Sequence, residues 1–274
     1  MLRDVTLSFI GSGVMAEAMI NGILNEGLTD PGRIIASDPR EERGQQLTER
    51  YGVRASTNNR EAAEGTQIVV LSVKPQVLPV VLEELRGAVA ADGLVLSIVA
   101  GARIAAIADG LGHEAIVRVM PNTPAQIGRG MSVWTATGAV TEEQLPQAQS
   151  ILGALGEEIR LEDEDYLDMA TALSGTGPAY VFLFMEAMID AGVHMGFSRR
   201  VAQQLVLQTI RGSVDFARQS VAHPAELRNM VTSPGGTSAE ALYQLEKGGF
   251  RTVLSRAIWA AYQKSKYLGG LSSK

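Results

Sequence analysis

The chain has 274 residues, with 24 basic against 30 acidic side chains, a net charge of −6 and no cysteine. This excludes disulfides, thiolate catalysis and zinc–cysteine sites, and the scattered basic residues offer no footprint for a nucleic acid. At 46% hydrophobic and 20% charged residues the composition is that of a globular protein with a sizeable core.

In chain order, the first strand is expected over residues 5–10, followed at once by Gly11-x-Gly13-x-x-Ala16 and a helix over 15–24. In such a turn Gly11 allows the tight bend, Gly13 lets a pyrophosphate approach the backbone, and Ala16 allows close helix–strand packing. A strand over 33–37 ends in Ser37-Asp38-Pro39-Arg40, before a helix over 40–51. Asp38 favours a free ribose 2′-hydroxyl and hence NAD, while Arg40 favours a 2′-phosphate and hence NADP. The two cues conflict. After a strand-like stretch at 53–56, the pair Asn58-Asn59 stands where a strand-end polar group is expected. A strand over 67–73 ends in Ser72-Val73-Lys74, where the lysine suits a phosphate contact or a plain solvent cap. A helix over 77–89 and a strand over 94–99 follow. The strand over 115–120 runs into Met120-Pro121-Asn122-Thr123-Pro124, a stiff loop carrying an amide and a hydroxyl. A strand over 131–137, a helix over 142–155 and a short strand over 158–161 complete this half. Apolar runs alternating with helices argue for a doubly wound parallel sheet in an α/β domain of residues 1–162.

From residue 163 the strand signals stop. Helices are expected over 166–173, 178–194, 199–220, 225–231, 238–247 and 251–268. Pro178 and Pro224 fall at helix starts, and Gly196 and Gly248 at helix stops. This gives an all-helical second domain over 163–274. The helix from Pro178 is apolar nearly all round, through Val181, Phe182, Leu183, Phe184 and Met185, so it should be buried on every side. A dimer interface and a core position within one subunit both satisfy that requirement. Its most apolar part, residues 178–189, is too short for a membrane span and carries Glu186. The acidic run Glu162-Asp163-Glu164-Asp165 reads as a solvated face. No signal peptide is evident, because Arg3 and Asp4 lead straight into a strand. The three histidines (His113, His194, His223) are too far apart in sequence for a metal cluster. A cytoplasmic protein without membrane, metal or nucleic-acid partner is expected.

Two features bear on the chemistry. No lysine occurs between residues 75 and 246, and ALSGTGPAYVFLFMEAM carries neither lysine nor histidine. A reaction that must strip a proton from an alcohol is poorly served there, whereas reduction of an already protonated substrate needs no such base. Further on, VTSPGGTSAEAL places Gly235 and Gly236 among four hydroxyl residues at the start of a helix. The turn suits an anion held by backbone N–H groups. It equally suits a capping box, with Thr237 as the cap and Glu240 three residues on.

Taken together, FIGSGVMA, LSVKP, RVMPNTPA, ALSGTGPAYVF, DAGVHMG, VTSPGGTSAEAL and LEKGGFR resemble the pyrroline-5-carboxylate reductase family from end to end. The resemblance implies an N-terminal Rossmann domain and a C-terminal helical domain that dimerises, often within larger assemblies. It also implies reduction of L-1-pyrroline-5-carboxylate to L-proline by NADPH or NADH. Cofactor contacts would fall on Gly11, Ser12, Gly13, Val14 and Met15, with Asp38, Arg40 and Asn59 at the adenosine end. Ser72, Val73, Lys74 and Asn122 would line the cleft. Ser233, Gly236, Thr237 and Ser238 would bind substrate, with Ser238 and Lys74 forming the catalytic set and no residue acting as an obligatory general acid or base. Thr176 would face the substrate or simply cap a helix. Ser238 replaces the threonine usual in the family, keeping the hydroxyl but losing the methyl that restricts its rotamer. The alternatives are a reductase of another cyclic imino acid and a non-catalytic NAD(P)-binding regulator.

Overall fold

The computed structural model describes residues 2–271. The strands β1 (Leu7–Ile10), β2 (Ile34–Ser37), β4 (Ile68–Leu71) and β5 (Leu94–Ser97) are four-residue runs buried at every position. Strands with no exposed face belong inside a parallel sheet covered by helices on both sides. With β3 (Arg54–Ser56), β6 (Ile116–Met120), β7 (Gly130–Ala136) and β8 (Gly156–Arg160), they form one eight-stranded sheet in the order β3-β2-β1-β4-β5-β6-β7-β8. The order reverses beside β1, which sets the carboxyl ends of β1 and β4 next to each other.

The helices of this part are α1 (Val14–Asn25), α2 (Glu41–Tyr51), α3 (Asn59–Ala63), α4 (Leu78–Leu85), α5 (Ile104–Leu111) and α6 (Gln144–Gly153). Of these, α3 and α5 were not expected from the sequence; their apolar sides are too short to give a periodic signal. Two hydrophobic cores cover the sheet. One gathers Phe9, Met19, Ile20, Trp134 and Ile151, the other Ile10, Leu71, Leu82, Leu85 and Ile107. A wholly parallel sheet is not what forms: β7 runs antiparallel to β6, while β8 returns parallel to β7. The segment between Met120 and Gly130 is too short for a crossover helix, so the chain can only turn back.

By packing, the chain divides into residues 2–178 together with 260–271, and residues 179–259. In this packing α7 (Tyr166–Ala170) groups with the sheet through Asp168, which pairs with Arg103, and the end of the last helix joins the same unit through Ser265. α7 continues through a π-helical turn, Thr171–Gly175, into α8 (Gly177–His194). The helical run Tyr166–His194 is 29 residues long, and by length and composition alone it could cross a membrane. Its length therefore does not exclude a span, contrary to expectation.

The second unit comprises most of α8 with α9 (Arg199–Gln219), α10 (Pro224–Met230), α11 (Thr237–Lys247) and the first half of α12 (Phe250–Leu271). Gly192 lets α8 and α9 approach: a Cβ there would sit 2.9 Å from the Ala202 methyl. Few side chains here are buried. Phe182 is 61% and Leu183 66% exposed, so α8 is not the central core helix of one chain.

Candidate functional site

The turn after β1 has the geometry that the glycine spacing requires. Gly11 has φ +90°, and a Cβ there would lie 2.7 Å from Val73 Cγ1 and 3.0 Å from the Ser72 carbonyl. Its amide donates to the Ser37 carbonyl (2.9 Å). Gly13 is different: it caps α1 with ordinary φ (−70°), and a Cβ would meet nothing within 4 Å. That glycine therefore keeps open a space the protein itself does not fill. Beyond it, the amides of Val14, Met15 and Ala16 find no acceptor among the described residues, as befits a bare helix start. Open room above unspent N–H groups at a helix N-terminus suits a pyrophosphate.

The expected polar residues are largely spent on building this cleft. Ser12 is fully buried; its hydroxyl donates to the Ser37 carbonyl (3.0 Å), and its carbonyl accepts from Arg43 Nε (2.7 Å). The Ser72 hydroxyl donates to the Gly11 carbonyl (2.6 Å), latching the end of β4 to the glycine turn. Asn59 accepts from the Ser37 hydroxyl (2.8 Å) and donates to Glu84 (2.7 Å), while Asn58 caps α3. Asn122 accepts the Met131 amide (2.9 Å) and donates to the Ser174 carbonyl (3.1 Å). The Thr176 hydroxyl donates to the Thr171 carbonyl (2.8 Å), closing the π-turn rather than capping α8. The Lys74 side chain is exposed and makes no hydrogen bond or ion pair among the described residues, while its carbonyl accepts the Val77 amide (3.1 Å).

At the end of β2 the carboxylate of Asp38 is almost wholly covered and fully engaged. It accepts the Ser12 amide (3.3 Å), the Arg40 amide (3.1 Å), Arg40 Nε (2.8 Å) and Arg40 Nη2 (3.2 Å). Burial pushes its carboxyl pKa up, but the Arg40 guanidinium and the two amides more than reverse this and hold it below the usual range. Arg40 itself stays two-thirds exposed, on a cleft of about 560 Å³ that Gly44, Thr48, Ser56 and Glu61 also line.

The loop before α11 has a distinct geometry. Gly235 is left-handed (φ +68°), and the Gly236 amide donates to the Ser233 carbonyl (3.1 Å), closing a tight turn. A Cβ on Gly236 would strike the Ser233 hydroxyl. The cap of α11 is Gly236, with no side-chain cap bond, so the expected Thr237–Glu240 capping box does not form. The amides of Thr237, Ser238 and Ala239 and the hydroxyls of Ser233, Thr237 and Ser238 carry no bond among the described residues.

Several charged residues escaped sequence reasoning. Arg118 stands in the apolar run IVRVM and is only 3% exposed, which already implies a buried carboxylate partner. Its partners are Glu164 (2.6 Å) and, further off, Asp168 (3.9 Å). Arg103 pairs with Asp165 (2.5 Å) and Asp168 (2.9 Å). The acidic run at 162–165 is thus partly an ion-pair partner of the sheet, not only a solvated face.

A Rossmann sheet with a glycine turn, a basic β2 end and a separate glycine–hydroxyl loop defines a nicotinamide-dinucleotide oxidoreductase. The comparisons with known proteins narrow this. Residues 164–268 match the model described as pyrroline-5-carboxylate reductase dimerisation, and residues 6–101 match that of NADP oxidoreductase coenzyme F420-dependent. The chain is 42% identical to a pyrroline-5-carboxylate reductase of Synechocystis over 97% of its length and 99% of that protein. A solved Plasmodium falciparum pyrroline carboxylate reductase with NADP bound superposes with a TM-score of 0.89, at 34% identity over 97% of this chain and 99% of that one. A Coxiella burnetii pyrroline-5-carboxylate reductase gives 0.89 at 36% identity, over 96% and 98%. The chain belongs to the pyrroline-5-carboxylate reductase family.

Proposed function

We infer that the chain reduces L-1-pyrroline-5-carboxylate to L-proline with NAD(P)H, the last step of proline synthesis. The observation that carries this reading is the open, amide-lined glycine turn at β1; the unspent amides and hydroxyls of the 233–239 loop, a feature of the second unit taken by itself, support it. Its family membership over nearly the whole chain supports it.

The reduced nicotinamide, when bound, supplies a hydride for the C5 carbon of the protonated cyclic imine. Gly11 and Gly13 shape the turn, and the amides of Val14 and Met15 receive the pyrophosphate. Ser12, Ser72, Asn59 and Asn122 hold that turn and its neighbours in place through their own hydrogen bonds. Val73 packs against Gly11, and Lys74 adds a cation at the mouth of the cleft. Because Asp38 is engaged by Ser12 and Arg40, it offers little to a ribose hydroxyl; Arg40 faces the cleft and favours a 2′-phosphate, hence NADPH.

The substrate carboxylate sits on the amides of Thr237, Ser238 and Ala239 and the Ser233 hydroxyl. Gly236 shapes that turn but has already spent its own amide. Ser238 addresses the ring nitrogen. Holding two planar reactants face to face contributes about 7–11 kcal/mol to lowering a barrier, so no strong base is needed. Two copies of the chain pair through the exposed apolar side of α8, within the region matched by the dimerisation model; larger assemblies of such dimers and a cytoplasmic location belong to the same reading.

The test is loss of NAD(P)H absorbance with purified protein and L-1-pyrroline-5-carboxylate, each cofactor in turn. Saturable, substrate-dependent oxidation is expected, more efficient with NADPH. Folded protein that binds NADPH yet oxidises it only with a six-membered cyclic imino acid would point to the related imine reductase instead.

A further inference from the structure

The reaction described above makes no use of the most deeply buried charges among the described residues. Asp168 is 1% exposed and Arg118 3%. Asp168 accepts from Arg103 Nη2 (2.9 Å) on one oxygen and from the Ser265 hydroxyl (2.7 Å) on the other. Ser265, itself 4% exposed, lies on α12. Glu164 accepts from Arg118 (2.6 Å) and from the Ile104 amide (2.8 Å) at the start of α5. One cluster therefore ties together four segments: the loop between β5 and α5, strand β6, the turn into α7, and the last helix.

Buried ion pairs cost desolvation, and apolar replacements are often as stable or more so; what such pairs enforce is one geometry. The segments enforced here lie at the carboxyl ends of β5 and β6, the edge where open α/β sheets hold their ligands. Gly101, in the loop after β5, meets α12 closely: a Cβ there would stand 3.4 Å from Leu268 Cβ. α7 runs directly from Asp168 into the π-turn at Thr171–Gly175, whose Ser174 carbonyl is held by Asn122 from the end of β6. π-turns inside helices recur at functional sites.

We propose that Asp168, gripped by Arg103 and Ser265, is a positioning residue: it sets the β5–α5 loop and the 171–177 turn in the register hydride transfer requires, without touching either reactant. The kinetic part rests on the reductase reading; the structural part does not.

The experiment compares the full-length parent with Ser265→Ala and Asp168→Asn. Ser265→Ala removes a single hydroxyl, and Asp168→Asn keeps the shape while removing the charge. Amide hydrogen exchange, run without substrate, should show lost protection in 98–103 and 171–177, with the glycine turn at 11–16 unchanged. The affinity for NADPH should stay within about twofold, because that turn is held by other bonds. With L-1-pyrroline-5-carboxylate, kcat should fall about 10- to 100-fold, the loss expected of a misplacement near 1 Å, while the primary isotope effect from deuterated NADPH rises. Unchanged kcat and exchange in folded Ser265→Ala, with only a lower Tm, would overturn the proposal and leave the cluster a stability feature. Altered exchange in the variants, together with a parent that does not reduce this imine, would instead refute the reductase reading and leave the anchor standing.

Discussion

The two glycines of the first turn should fail in opposite ways when each is given a methyl group. In Gly11→Ala the side chain must adopt φ near +90° and meets the Ser72 carbonyl at 3.0 Å and Val73 Cγ1 at 2.7 Å. The dihedral costs about 1–3 kcal/mol, and overpacking against backbone a further 1–3 or so. A loss of about 2–6 kcal/mol is a large part of a usual folding stability and corresponds to a fall in Tm of roughly 5–20 °C. Gly13→Ala has an allowed φ and open space. Alanine is the poorer helix cap by up to about 1 kcal/mol, but it restricts the unfolded chain by about 0.4–1 kcal/mol, and the two effects nearly cancel. Its methyl does occupy the room left for the pyrophosphate, so NADPH affinity should fall at least about tenfold, or roughly 1.4 kcal/mol. Calorimetry gives the two Tm values and fluorescence titration the two affinities. A Gly13→Ala protein that binds NADPH as the parent does would refute the assignment of that space to the cofactor. A Gly11→Ala protein of parental stability would refute the packing argument.

Ser238→Ala should lower kcat/KM by about tenfold or more with Tm unchanged, because its hydroxyl makes no bond among the described residues; steady-state kinetics with matched melting curves check this. Arg40→Ala should weaken NADPH binding about 10- to 100-fold and NADH binding within about threefold, read by titration of each cofactor. Light scattering should give a dimer for the parent and a monomer for Phe182→Glu with Leu183→Glu, since both side chains stand exposed on α8; a parent that is monomeric would refute the proposed pairing. Glu17, hydrogen-bonded first to Arg43, and Asp165, hydrogen-bonded first to Arg103, have carboxyl pKa values held below the usual range. Such groups contribute stability above their unfolded pKa of about 4 and lose it as pH falls through the lower folded value. Tm should therefore drop steeply below about pH 4, and less steeply in Glu17→Gln.

Much of this protein is written locally. The apolar four-residue strands, the Gly11–Gly13 turn and the proline- and glycine-marked helices follow from short-range periodicity and backbone sterics, which a sequence states directly. The antiparallel β7 was not legible, although the short Met120–Gly130 connection carried the reason for it. Nor was the cap of α11: Thr237 and Glu240 have the spacing of a capping box, but the turn closed by Ser233 puts Gly236 in the cap position.

What only the tertiary structure decided is which polar groups are spent and which are left. Asp38 and Arg40 pose opposite cues in sequence; folding joins them and leaves the arginine facing the cleft. Asn59, Asn122 and Thr176 each also bond within the protein, to partners between 5 and 52 residues away. The acidic run beside residue 164 resembles a solvated surface, yet two of its members also neutralise arginines 46 and 62 residues earlier. Hydrogen bonds and ion pairs form between groups that the fold brings together, and no local pattern records a partner that distant.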